Sequence, residues 1–199
     1  MSKLEYRIVL TAFRLEGQMR MQIERDGLNG WRVQCVGRDM LVMERTDEAR
    51  YDQRLALLSW HSPQLTLESL QKEAARGWDL GAVGPQFIIY HRPAGREEPL
   101  PYEYRSENIA ILPPAKILEQ ANELGRQGWE IRSFDAAFAY YRRNVNAPQQ
   151  YKSHLENVSM KTPRGIELFL AMKGEEKWRI SGIFQIYMVL TQPLPLAPG

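Results

Sequence analysis

The sequence has little of the residue types from which most catalytic and metal sites are built. Its 199 residues include one cysteine and three histidines. The cysteine, Cys35, has no partner for an internal disulfide, which is typical of a protein from a reducing compartment. The spacing of His61, His91 and His154 resembles no metal site, and we therefore predict no metal and no cofactor.

Long apolar runs, phosphate-binding loops and an excess of one charge are also missing. The longest apolar runs, such as residues 186–190, are far too short to cross a bilayer, and the N-terminus has no apolar signal-peptide core. The net charge of +2 gives no strong electrostatic case for nucleic acid or anionic membranes. Neither GxGxxG, GxxxxGK[ST] nor GxSxG occurs. These absences predict a cytoplasmic protein that is not an enzyme, has no catalytic residues and does not contact membranes.

Four of the five tryptophans mark an internal repeat. They are Trp31, Trp78, Trp129 and Trp178. At equal offsets from each tryptophan the chemistry recurs, with an aliphatic residue two positions later and apolar residues five and nine positions later. The agreement at so many offsets predicts four copies of one unit. The predicted copies are residues 1–46, 55–93, 102–144 and 150–193, of which the last is degenerate, followed by a disordered tail at 194–199.

Each copy reads as a strand, a helix and two further strands. The predicted first strands are Tyr6–Phe13, Leu55–Trp60, Tyr102–Ala110 and Tyr151–Val158. Thr162 followed by Pro163 predicts a helix start, because the threonine side chain caps the helix and proline suits its first position. The sequence therefore predicts an α+β fold of four tandem β-α-β-β repeats, with antiparallel sheets, helices on one face and repeats paired through their sheets.

The motif around each tryptophan has a structural interpretation. Gly27, Gly125 and Gly174 lie four positions before a tryptophan, where we expect a left-handed residue to end the helix. The tryptophan itself is predicted to be a core residue that fixes the unit. In the fourth copy Lys177 replaces the glycine that directly precedes the tryptophan elsewhere, which predicts a different turn there.

The third strands are apolar on both faces. Phe87–Tyr90 and Phe138–Tyr141 are the clearest cases, and strands covered on both sides have this composition. One face should meet the helices, and the other needs cover from the sheet of another repeat or from another subunit. A protein partner or self-association is therefore predicted, and the sequence leaves open which cover is used.

A repeated polar feature lies at the ends of the third strands. The candidate binding residues there are Arg45, Tyr90, Arg92, Tyr141, Arg142 and Arg143. Arginine beside exposed aromatic rings is typical of surfaces that bind single-stranded nucleic acid. The alternative is that these arginines are strand-end charges that keep sheet edges soluble. The nearly neutral chain favours this alternative.

The third copy resembles a known domain family. The stretch NELGRQGWEIRSF at 122–134, with Tyr102–Tyr104 before it and Phe138–Arg143 after it, resembles the bacterial and phage family DUF4177. That family has a tyrosine-rich first strand, an Asn-Glu-Leu-Gly-x-x-Gly-Trp-Glu-Leu turn and a last strand ending in Lys or Arg. The resemblance is clearest over residues 102–144. It implies a small α+β fold and a bacterial or phage origin, and no catalytic residues.

Three hypotheses for function follow. The leading one is a non-enzymatic binding or assembly module, because a structural motif is repeated without a repeated catalytic set. The second is a nucleic-acid-binding protein that uses the Arg/Tyr strand ends. The third is a binder of a small molecule or nucleotide in a cleft between repeats.

Overall fold

Each repeat folds as a three-stranded antiparallel sheet with a helix between its first and second strands. The computed structural model describes residues 4–11, 16–37, 39–45, 50–58 and 62–195. His61, residue 46 and residues 196–199 of the predicted tail lie outside the described residues. Repeats 1 and 2 consist of β1 (Glu5–Leu10), α1 (Glu16–Leu28), β2 (Trp31–Val36), β3 (Met40–Arg45), β4 (Tyr51–Leu57), α2 (Pro63–Ala74), β5 (Asp79–Val83) and β6 (Phe87–Pro93). Repeats 3 and 4 consist of β7 (Tyr102–Asn108), α3 (Pro114–Arg126), β8 (Glu130–Phe134), β9 (Phe138–Asn144), β10 (Tyr151–Asn157), α4 (Pro163–Glu175), β11 (Arg179–Phe184) and β12 (Tyr187–Pro193).

The third strand lies in the middle of every sheet. The orders are β1-β3-β2, β4-β6-β5, β7-β9-β8 and β10-β12-β11. The central position explains the apolar composition of the third strands, because a central strand is flanked by both neighbours and covered on both faces. The predicted α+β fold of four β-α-β-β repeats is confirmed.

The second repeat begins earlier than predicted. Its first strand starts at Tyr51, four positions before the predicted Leu55. The polar residues Asp52 and Gln53, which the sequence placed in a linker, belong to the strand. Gln53 is buried, donates to the Ile23 carbonyl oxygen and accepts from a backbone N–H of repeat 1. The polar character of Gln53 therefore resembles that of a linker in the sequence, although its hydrogen bonds are made inside the fold.

The four repeats close into a ring. Each helix packs on the first strand of the following repeat: α1 on β4, α2 on β7, α3 on β10 and α4 on β1. The second strands also contact one another in a cycle, β2 with β5, β5 with β8, β8 with β11 and β11 with β2. The second strands therefore surround a pseudo-fourfold axis, and the first strands lie at the periphery. Repeat 4 packs directly on repeat 1.

Each hydrophobic core lies between two successive repeats. In the core that closes the ring, Leu170 of α4 and Leu190 of β12 pack with Tyr6 and Val42 of repeat 1. Three further cores join repeats 1 and 2, 2 and 3, and 3 and 4 in the same way. The repeats contact one another through their sheets, as predicted, but each repeat contacts two neighbours and the predicted pairs do not form. The chain itself covers both faces of the third strands, which removes the reason for expecting a second subunit there.

Two of the glycines near the helix ends, Gly27 and Gly125, are required for close packing. The prediction that Gly27, Gly125 and Gly174 adopt a left-handed conformation is wrong, because none of them has a positive φ. A Cβ atom on Gly125 would lie well under 3.0 Å from the carbonyl oxygen of Tyr151, the first residue of the next repeat. Gly27 is equally close to the first strand of repeat 2. The first strand of the next repeat therefore crosses the helix where the helix has no side chain.

The left-handed residue of each turn directly precedes the tryptophan. The φ values are 84° at Gly30, 81° at Gly77, 90° at Gly128 and 67° at Lys177. The prediction of a different turn in repeat 4 is wrong. The Trp178 N–H donates to the Lys173 carbonyl oxygen just as the Trp129 N–H donates to Leu124. Lys177 keeps the turn although a left-handed residue with a side chain costs about 1–2 kcal/mol.

Candidate functional site

The recurring arginines lie on the recurring tryptophans. The guanidinium carbon lies 4.8 Å from the ring centroid for Arg45 on Trp31, and 4.5 Å for Arg92 on Trp78 and Arg143 on Trp129. Each arginine also pairs with an acid of the first strand: Glu5, Asp52 or Glu103. In repeat 4 the third strand has Gln192 in place of this arginine. The cation comes from the first strand instead, where Lys152 lies opposite Gln192 and 5.0 Å from the Trp178 ring. These cations cover the tryptophans.

The predicted Arg/Tyr residues do not form one exposed surface. Tyr90 and Tyr141 are buried, so neither ring is free for stacking on a base. Arg142 is mostly buried between two carboxylates. Trp129 is buried as predicted, whereas the other three tryptophans are half-buried beneath their cations. The sequence predicted arginines beside exposed tyrosines, whereas these arginines lie on the tryptophans of their own repeats.

Charged side chains converge near the axis at the end of the ring where the four tryptophans lie, here called the tryptophan end. The residues that directly follow the tryptophans are Arg32, Asp79, Glu130 and Arg179, and the residues opposite them on the third strands are Glu44, His91, Arg142 and Thr191. Arg132 reaches the same region from a β-bulge in β8. It donates to the Leu80 carbonyl oxygen of repeat 2 at 3.2 Å and contacts Gln34 of repeat 1 at 3.5 Å. These nine residues form the axial layer.

The centre of the axial layer is a buried ion-pair network. Arg142 donates to Asp79 of repeat 2 and, at 2.5 Å, to Glu130 of its own repeat. Burial alone would raise the pKa of Asp79, but Arg142, Arg132 and His91 lower it overall. The pKa of Glu130 is lowered as well, again because nearby arginines outweigh burial. Burial lowers the pKa of His91 to about 3 despite the nearby Asp79, and His91 is therefore neutral at pH 7.

The axial layer contains one more cation than anion. Its arginines are Arg32, Arg132, Arg142 and Arg179, and its carboxylates are Glu44, Asp79 and Glu130. Glu44 accepts from Arg32 at 2.7 Å and lies 3.8 Å from Arg179. Arg179 is therefore the arginine whose charge is least compensated.

A cavity of about 820 Å³ opens at the tryptophan end, where repeats 3, 4 and 1 meet. Its lining includes Leu4, Tyr151, Ala171, Gly174, Lys177 and Arg179. It also reaches the Glu130–Arg142 pair of the axial layer. The cavity therefore has both an apolar wall, which includes Leu4 and Ala171, and a charged wall, which includes Arg142 and Arg179.

The cavity lies where the sequence departs from its own repeat. Arg32 and Arg179 occupy equivalent positions, but Arg32 lies over the Tyr51 ring of the next repeat at 5.3 Å. Repeat 1 has Leu4 at the position of that tyrosine, so this position offers Arg179 no aromatic ring, and both residues line the cavity. The Arg179 side chain is 49% exposed, against 19% for Arg32. The turn residue Lys177 is a second departure that lines the same cavity.

Comparison with known proteins identifies no family. No family model, curated protein or solved structure matches the chain. The resemblance to DUF4177 stays a prediction. None of the helices in the described part of the chain has the length and apolar composition needed to span a membrane. Within the described ranges, no three His, Cys, Asp or Glu side chains are grouped as metal ligands would be.

Of the residues that line the cavity, the sequence predicted only Arg142 as a binding residue and Gly174 as a structural one. Tyr151 was assigned only to a strand, Lys177 only to a turn, and Arg179 and Leu4 were not singled out. A signal was present, since Leu4 and Lys177 differ from the residues at equivalent positions of the other repeats. Positions at which a repeat breaks its own pattern are candidates for function, because packing alone would keep them alike.

Proposed function

We propose that the chain is a non-enzymatic binding module that holds a small organic molecule in the cavity where repeats 3, 4 and 1 meet. The observation that carries the proposal is that the departures from the repeat pattern at Leu4 and Lys177 line one cavity. The cavity volume of about 820 Å³ is within the usual range for small-molecule sites.

The chemistry of the lining supports binding rather than catalysis. General acid–base catalysis works best when a group titrates near the working pH. An arginine side chain is neither a general acid nor a general base at ordinary pH values. The pKa of Glu130 is lowered, and burial raises the pKa of Tyr151 to about 12. These groups therefore offer fixed charges and hydrogen bonds at neutral pH.

The closed ring supports a rigid binding site more than an assembly surface. Arg142 and Glu130 are held by the axial layer, and Ala171 and Gly174 are part of a helix that packs on repeat 1. Such a preorganised cavity loses little conformational entropy when a ligand binds.

We expect the dye 1-anilinonaphthalene-8-sulfonate to bind one saturable site in the cavity. Replacing Ala171 with phenylalanine should weaken the binding at least about tenfold, because the ring would fill a space that the lining leaves open. Dye fluorescence and equilibrium dialysis measure the affinity and the number of sites.

The matched control is Glu24→Phe, which adds the same ring at the equivalent, exposed position of α1 in repeat 1. It should leave the affinity unchanged. Equal affinities of the Ala171→Phe variant and the wild-type protein would contradict the proposed site.

A further inference from the structure

We infer that the ligand of this cavity is a monocarboxylic acid with an apolar body. The inference rests on the proposed function and adds the chemical class of the ligand. It depends on three features of the lining: its net charge, its hydrogen-bond donors and its apolar wall.

The lining carries a net charge that matches one negative charge. Its cations are Arg142, Lys177 and Arg179, and its carboxylates are Glu130 and Glu175. Arg142 and Glu130 neutralise each other as a buried pair. Lys177 is exposed and forms no ion pair with another described residue, while the exposed Glu175 offsets one of the two remaining cations. A monoanion therefore compensates the net charge of the lining, whereas a phosphate dianion would leave the site with a net negative charge.

Two donors suit a carboxylate group. The Arg179 guanidinium is planar and presents paired N–H donors, a geometry that matches the two oxygens of a carboxylate. Tyr151 lines the same cavity, and its raised pKa keeps its hydroxyl group protonated at neutral pH. The lining thus holds two side chains that can donate hydrogen bonds to an anion.

The remaining wall suits an apolar body. Leu4, Ala171 and Pro193 line the cavity, and Gly174 lets the helix wall approach without a side chain. Aliphatic and aromatic carbon atoms gain free energy in proportion to the apolar area that such a wall removes from water. An acid that combines a single carboxylate with a hydrocarbon chain therefore uses both parts of the cavity.

The test is a series of six-carbon probes that differ in the polar group. Hexanoate, hexan-1-ol, hexylamine and inorganic phosphate are titrated into the full-length protein, with binding followed by isothermal titration calorimetry and ligand-observed NMR. Hexanoate should bind at one site, at least about tenfold more tightly than hexan-1-ol, while hexylamine and phosphate should be weaker than hexanol. Arg179→Gln should weaken hexanoate about tenfold and leave hexanol unchanged.

The matched control is Arg164→Gln, which removes an exposed arginine at the other end of α4 and should change neither affinity. Equal binding of hexanoate and hexanol, or no binding of hexanoate, would overturn the inference. Tighter binding of phosphate or hexylamine would do the same. The proposed function fails separately, if the dye affinity is unchanged in the Ala171→Phe variant.

Discussion

Replacing Arg142 with leucine is expected to lower the free energy of unfolding by about 3–5 kcal/mol at pH 7. Arg142 is the shared partner of Asp79 and Glu130, and the change leaves two buried carboxylates short of a cation. Arg132 contacts Glu130 at 3.4 Å but does not pair with Asp79. Urea denaturation followed by tryptophan fluorescence measures the difference.

The sign of the pH dependence distinguishes this electrostatic loss from a packing defect. In the wild-type protein the pKa values of Asp79 and Glu130 are lowered. Their ion pairs therefore stabilise the fold fully when the pH is above the ordinary carboxyl pKa, and this stabilisation is lost as the pH falls. Without Arg142 both pKa values rise, so the variant loses less on acidification. The difference in free energy of unfolding between the wild-type protein and the variant should therefore become smaller from pH 7 to pH 4.

A charge-neutral variant provides the control for Arg142. Adding Asp79→Asn and Glu130→Gln to Arg142→Leu should recover part of the lost free energy of unfolding at pH 7, since the two unpaired carboxylate charges are then gone. The electrostatic account would be contradicted if the difference in free energy of unfolding were the same at pH 7 and pH 4 and the triple variant were no more stable than Arg142→Leu.

Replacing Gly125 with alanine is expected to destabilise the protein by about 3 kcal/mol. The new Cβ atom would collide with the backbone carbonyl oxygen of Tyr151, and two backbone segments would have to separate. The collision outweighs the gain of up to about 1 kcal/mol that alanine brings to a helix. Thermal and urea denaturation measure the net effect.

Gly174 gives the matched control, because it occupies the equivalent position in repeat 4. There the new Cβ atom would be 3.5 Å from the Cβ of Leu4, which is ordinary van der Waals contact. Gly174→Ala should therefore stabilise the protein by up to about 1 kcal/mol. The same Gly→Ala substitution would then lower the stability at position 125 and raise it at position 174. Stabilisation by Gly125→Ala would contradict the close approach of α3 and β10.

The repeat and the element order were predictable because they depend on local patterns. Tryptophan spacing located the four units, and proline after Thr162 located a helix start that the structure confirms at Pro163. The ring was not predictable, because repeats that pack in pairs and repeats that pack in a ring have the same local pattern. The difference lies in contacts such as α4 on β1, which join residues far apart in sequence.

The candidate site was missed for the same physical reason. Arg179 alone is an ordinary strand residue, and only ring closure places it in one cavity with Leu4, which stands where the other repeats have a tyrosine. Conversely, the nucleic-acid hypothesis required Tyr90 and Tyr141 to be exposed beside arginines, and both are buried. The pattern of a third strand shows that both faces are apolar, but not which neighbour covers each face.

The closure of repeat 4 on repeat 1 is tested most directly by a disulfide across that junction. A Cβ atom at Gly174 would lie 3.5 Å from the Leu4 Cβ, a distance that suits a disulfide. The native thiol of Cys35 is fully buried. The variant Leu4→Cys with Gly174→Cys is oxidised mildly and analysed by intact mass and non-reducing electrophoresis, beside a Leu4→Cys with Gly165→Cys control from the other end of α4. The closed ring predicts a disulfide in the first variant alone, and two free thiols at positions 4 and 174 would contradict it.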